Sequence, residues 1–260
     1  MLKILKYSFY DLIRSRWSYV YLAFYFILSI VMLFLNASLS KAILTLMNVV
    51  ILLVPLIGTI FGVMYYYSSK EFTELLLALP IKRSSIFLGQ FLGVAISLSL
   101  SLILGLGIPF VIYGLFESSE IWDFGLLLVL GTFLSFIFSG ISYIIALMNE
   151  NKIKGFGYAI LMWLFFAVIY DGLFLISLIV FEEYPLDTFS LVASIFNPID
   201  LSRIMMLLKL DISALLGYTG AVFRQFFGSN LGSIVAFGML CVWTLVPILF
   251  LKWKSSKKDF

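Results

Sequence analysis

The chain has 260 residues, 63% hydrophobic and only 12% charged, with a net charge of +3 and a mean hydropathy of +1.13. A soluble domain carries about 25% charged residues, so a water-soluble globule is excluded. No histidine, no GxSxG and no GxxxxGK[ST] occurs, which removes Ser-His pairs, imidazole metal sites and a phosphate-binding loop, and leaves no expectation of an enzyme.

In chain order, residues 1–16 come first. Leu2, Leu5, Phe9 and Leu12 recur at helical spacing, with Lys3, Lys6 and Arg14 on other faces. That pattern reads as an interfacial helix along the membrane surface, either an anchor only or a contact for a partner, and not as a cleavable signal peptide. Trp17, Tyr19 and Tyr21 are then expected to anchor the first span at the interface. Apolar runs long enough to cross a bilayer as helices follow at about 17–35, 42–67, 86–113, 124–148, 155–181 and 231–251. The fold class is therefore an all-α polytopic membrane protein with six transmembrane helices, in one domain covering 1–260.

Orientation follows from the basic residues. With the N-terminus inside, the cytoplasmic pieces carry Lys3, Lys6, Arg14, Arg16, Lys70, Lys82, Arg83, Lys152, Lys154, Lys252, Lys254, Lys257 and Lys258, and the outer pieces only Lys41, Arg203, Lys209 and Arg224. Both termini are expected to be cytoplasmic. Glu117, Glu120, Asp123, Glu182, Glu183 and Asp187 mark the outer side, and the net charge calls for no nucleic-acid partner.

Between the second and third runs lies a semi-polar stretch, 68–85. Glu71 and Glu74 share one helical face, Leu75, Leu76 and Leu79 another, and Pro80 ends the helix before Lys82 and Arg83. Such a helix on the cytoplasmic side is suited to docking a soluble partner. The outer stretch 182–230 is long and not of low complexity. Asn197-Pro198-Ile199-Asp200-Leu201-Ser202-Arg203 reads as a turn feeding a helix, with Asp200 as the N-cap. It forms either a gate or seat for an external partner, or re-entrant helices that pack the fold together.

Asp171 is the one ionisable residue deep in an apolar run. It is either a polar point on a transport path or a hydrogen-bonded tie holding the bundle. The spacings Gly58/Gly62, Gly89/Gly93 and Gly228/Gly232 permit close helix approach and read as packing. Pro55, Pro109 and Pro247 kink or end spans. No metal site is expected: Met205, Met206 and Met239 are weak soft-ligand candidates against a packing role, and the one cysteine, Cys241, gives neither disulfide nor thiolate cluster.

Six spans, a cytoplasmic helix between the second and third, and the run Glu74-Leu75-Leu76-Leu77-Ala78-Leu79-Pro80-Ile81-Lys82-Arg83-Ser84-Ser85-Ile86-Phe87-Leu88-Gly89 resemble the ABC-2 type transporter permeases over essentially the whole chain. The resemblance implies the type V exporter-like permease fold in the bacterial inner membrane. It also implies no cofactor in this chain, with ATP and Mg held by a separate ATPase. The helix would be the coupling helix seated in a cleft of that ATPase, with Glu71 and Glu74 as polar contacts, Leu75 and Leu79 as the apolar anchor, and Lys70, Lys82 and Arg83 flanking them.

The opening Lys6-Tyr7-Ser8-Phe9-Tyr10-Asp11-Leu12-Ile13-Arg14-Ser15-Arg16-Trp17, the Asn197–Arg203 run and Ala214-Leu215-Leu216-Gly217-Tyr218-Thr219-Gly220-Ala221 are similar to the permease subfamily of the copper-maturation (NosDFY-type) systems for nitrous oxide reductase. This implies a homodimer, two copies of a cytoplasmic ATPase, and a periplasmic β-helical partner on the outer loops, where Asn197, Pro198, Asp200, Arg203, Gly217 and Gly220 would serve. Cargo stays open between copper, a sulfur species and mechanical force alone. An ABC-2 exporter of a drug, lipid or peptide shares every feature except the outer motifs. A stand-alone secondary transporter or channel would want interrupted half-helices and an internal repeat, and no repeat is evident.

Overall fold

Glycine and serine decide which helices can touch. The structure is a computed structural model describing residues 1–36, 38–181, 186–210 and 219–257, and among these residues it is helical with no strand. Helices α1 (Leu2–Arg14) and α2 (Arg16–Leu35) are followed by α3 (Leu39–Ser68), α4 (Lys70–Leu77), α5 (Arg83–Ile112) and α6 (Ile121–Met148). The fifth span consists of α7 (Lys152–Leu164), a π-helical turn (Phe165–Ile169) and α8 (Tyr170–Val180). Then come α9 (Asp187–Ile195), α10 (Pro198–Lys209), α11 (Thr219–Phe227) and α12 (Asn230–Lys257). Six helices are long and apolar enough to cross a bilayer; α9 and α10, bent by 114° to each other, form a broken or re-entrant pair.

The core is the trio α3, α5 and α6, each at least half buried, whereas only 17% of the fifth span is covered. On α6, Ser135 and Ser139 donate their hydroxyls back to Gly131 O and Ser135 O, and Ser142 donates to Ser139 O at 3.0 Å. Each hydroxyl is thereby satisfied within its own helix. What remains is a strip of small side chains against which α3 lays Gly58 and Gly62. A Cβ on Gly62 would meet Ser142 Oγ and lie 2.7 Å from Ser139 O. In lipid, where apolar burial between helices yields little, such close approach is the main source of attraction. The start of α3 is tied to the N-cap of α6 by Ser40 donating to Glu120 at 3.0 Å. Glu120's backbone and this hydroxyl hold its carboxyl below the usual carboxylate range. At the end of α5, Gly114 takes the left-handed conformation at φ +94° that reverses the chain.

Helix α1 packs on α5 through Ile4, Ser8 and Leu12, which are buried, while Leu2 is exposed. Gly89 and Gly93 make room for it, since a Cβ on Gly93 would come within 2.7 Å of Ser8 Cβ. Trp17 and Tyr19 are exposed, but Tyr21 is buried edge-to-face on Tyr25 and faces the protein. Helix α2 then crosses α5 at Gly105, where an added Cβ would sit 2.8 Å from Tyr25 Cβ. The third glycine pair is different: Gly228 and Gly232 lie at the α11–α12 junction, against Arg224 and Phe226 backbone, and not in an interface between spans.

Filling the α3–α6 seam tests this account. Gly62→Leu should destabilise the purified protein by about 1–3 kcal/mol through overpacking, whereas Gly157→Ala, with no atom within 4 Å of its added Cβ, should leave the unfolding temperature in detergent unchanged or raise it.

Candidate functional site

Two places in the bundle hold polar side chains that lipid packing alone does not require. The first is α4, at the end shared with α1 and the α6–α7 turn. Thr73 is its one buried side chain. Lys70, Glu71 and Glu74 are exposed, with Lys70 and Glu74 3.9 Å apart, and Leu75 is 70% exposed. An apolar side chain that open, beside two carboxylates, faces away from the bundle. The helix is shorter than 68–85. It stops at Leu77, so Leu79 lies in the following turn, 51% exposed, and does not share a helical face with Leu75. Lys82 precedes α5 as its N-cap and Arg83 is that helix's first residue, because the span begins as soon as Pro80 has turned the chain.

The underside of α4 is anchored. Thr73 donates to Ser69 O at 2.8 Å and accepts from Gln90 Nε2 of α5 at 2.8 Å. Gln90 Oε1 in turn accepts from Tyr143 of α6 at 2.6 Å. Phe72 stacks on Tyr7 of α1 with ring centroids 4.5 Å apart. Gln90 and Tyr143 did not stand out in the sequence, although a lone amide inside an apolar run always raises the question of its partner.

The second place is the corner between α9 and α10, where the chain bends among the spans. The bend exposes the last carbonyls of α9 and the first N–H groups of α10, which must find partners. Tyr170 donates to Ala193 O at 2.6 Å and Trp243 of α12 donates to Ile195 O at 3.1 Å. Asn197, not Asp200, is the N-cap of α10: its Oδ1 accepts from Ile199 N at 3.1 Å. Pro198 occupies the first helical position, where its missing N–H costs nothing, and Asp200 lies inside the first turn.

Around that cap the separate sequence candidates converge. Asn197 Nδ2 donates to Phe166 O in the π-helical turn at 2.8 Å and to Asp200 at 2.7 Å. Arg203 donates to Asp171 at 2.8 Å and lies 3.4 Å from Asp200. Asp171 of α8 is thus paired with the helix that follows the corner. Asn197, Pro198 and Asp200 are buried, and Arg203 is half-buried. Met205 and Met206 are buried in the apolar core, and among the described residues no group of three acidic or thiol ligands could hold a metal. Gly220 falls in α11; Gly217 lies outside the described residues.

Among the described residues, six spans, one exposed amphipathic helix between the second and third, and a sharply bent helix pair before the last make this an all-helical polytopic membrane protein. The chain is 26% identical over 226 residues to the probable ABC transporter permease protein NosY of Stutzerimonas stutzeri, covering 81% of this chain and 78% of that protein. It is also 26% identical over 221 residues to the protein of the same name from Pseudomonas aeruginosa, covering 78% and 80%. No protein-family model matches the chain. The chain is NosY-like, and the likeness runs through most of both sequences.

The two kinds of contact at the corner should differ in weight. Asn197→Ala removes the N-cap of α10 and the side-chain donor to the buried Phe166 carbonyl, at a cost of about 1–3 kcal/mol. Asp171→Asn keeps an acceptor oxygen for Arg203, which also retains Asp200 at 3.4 Å, so it should cost less than Asn197→Ala. Amide exchange over residues 165–171 should speed up markedly in the first variant and little in the second.

Proposed function

We propose that the chain is the membrane-spanning subunit of an ATP-driven ABC transporter that supports maturation of the copper sites of nitrous oxide reductase. Both termini face the cytoplasm of the bacterial inner membrane, and two copies of the chain pair with two copies of a separate ATPase that supplies ATP and Mg. A periplasmic β-helical protein sits on the outer loops. The chain carries no catalysis of its own; it couples ATP hydrolysis to transport or to a change in that periplasmic partner.

The observation that carries this reading is α4. Its exposed face presents Glu71, Glu74 and Leu75, while its opposite face is fastened into the span core through Thr73. A helix built that way can receive a push from a soluble partner and deliver it to the bundle. The basic residues at the same end support a cytoplasmic placement. The likeness to the two NosY proteins favours the copper-maturation assignment over a general exporter. At the far side, the corner of α9 and α10 is suited to a gate, with the exposed Phe189, Val192 and Phe196 as the surface a periplasmic partner can reach.

Purification of the tagged chain from native membranes in mild detergent, with mass spectrometry of what accompanies it, tests the assembly. A Walker-type ATPase together with a periplasmic repeat protein is expected. An ATPase alone would favour an exporter of a drug, lipid or peptide, and recovery of the chain by itself would overturn the coupling role. Glu74→Lys combined with Leu75→Asp is expected to abolish ATPase association while leaving the chain folded in the membrane; unchanged association would remove α4 as the docking helix.

A further inference from the structure

We propose that Gln90 is the positioning residue that links α4 to the centre of the bundle, so that displacement of α4 reaches α6 through its side-chain amide. The inference rests on the coupling role of α4 above and names the route beyond it. Gln90 is fully buried about two turns into α5. Its amide is used at both ends, donating to Thr73 at 2.8 Å and accepting from Tyr143 at 2.6 Å. The polarity of the chain is fixed: Thr73 spends its proton on Ser69 O, so it can only accept from Gln90 Nε2, which leaves Oε1 for Tyr143.

Tyr143 is the natural receiver. It is fully buried, its ring meets Tyr66 of α3 edge-on at 5.4 Å, and Phe91 of α5 lies 6.5 Å away. A hydroxyl tied to Gln90 on a ring wedged among α3, α5 and α6 turns a small shift of Thr73 into a shift of the central trio. The stack of Phe72 on Tyr7 leads instead to α1. Of these two attachments of α4, the hydrogen-bonded one enters the core, and hydrogen bonds in a low-dielectric interior are directional and costly to leave unmade.

The test has two arms, both in a Cys241→Ser background. In the chain alone, in lipid nanodiscs, spin labels at Ala78→Cys and Met148→Cys, both exposed, report the distance from the end of α4 to the end of α6. Gln90→Leu is expected to broaden that distance distribution, and Gln90→Glu, which keeps the acceptor and can donate when protonated, to restore it. A wild-type distribution in Gln90→Leu overturns the proposal. Should that variant fail to fold, Tyr143→Phe, which removes one hydroxyl and keeps the ring, carries the same expectation and the same refutation. In the complex with the ATPase recovered from native membranes, maleimide labelling of Phe196→Cys at the outer corner reports the response to ATP. Gln90→Leu should retain ATPase association but reduce the ATP-dependent change in labelling rate about fivefold or more, with Gln90→Glu recovering it; a full response in Gln90→Leu overturns the relay. No response in the wild-type complex would instead refute the coupling role of α4, while the nanodisc arm still decides whether Gln90 positions it.

Discussion

Inside hydrocarbon, a backbone or side-chain polar group that leaves its helical ladder has no water to turn to, and that constraint governs where this chain is able to bend. At the corner between α9 and α10, Trp243 donates to the Ile195 carbonyl, Tyr170 adds a second donor to the Ala193 carbonyl, and the first turn of α10 is closed by Asn197. The same asparagine reaches Phe166 O in the π-helical turn, so a break in one element and a bulge in another are served by one side chain. The bend is placed where tyrosine, tryptophan and asparagine from three helices meet. The Asp171–Arg203 pair adds an ionic tie to a junction already closed by neutral donors.

Away from these places, the bundle is held by shape. Gly58 and Gly62 against the serines of α6, Gly89 and Gly93 against α1, and Gly105 against α2 repeat one device: small residues that bring backbones close enough for dispersion contacts to replace the hydrophobic driving force that lipid withholds. Serine suits this purpose because its hydroxyl folds back on the preceding turn and presents little more bulk than alanine.

Much of the fold was legible in the sequence because length and hydropathy are local properties. The six spans, the helix near 70 and a helix after Asn197 could all be read without tertiary information. The misreadings have physical causes. Asp200 looked like an N-cap by residue type, but Pro198 at the first helical position already marks Asn197 as the cap. Leu2, Leu5, Phe9 and Leu12 suggested a lipid-facing stripe on α1, yet the buried stripe passes through Ile4 and Ser8, chosen by the glycines of a helix about eighty residues further on. Asp171 was visible as an expensive charge, but its partner lies 32 residues away, and periodicity carries no record of such a contact. Gln90 and Tyr143 were hidden by the apolar runs around them; only the rule that a buried amide must be satisfied points to them.

The glycine–serine seam between α3 and α6 has a mechanical corollary. Two helices whose backbones are in near contact cannot slide past one another, because every step along the seam brings a larger side chain onto a neighbouring main chain. They turn together, as a beam does. Strain in a moving bundle then falls on whatever is more compliant, and the fifth span, thinly covered and already carrying one widened turn at Phe165–Ile169, is the member built to flex.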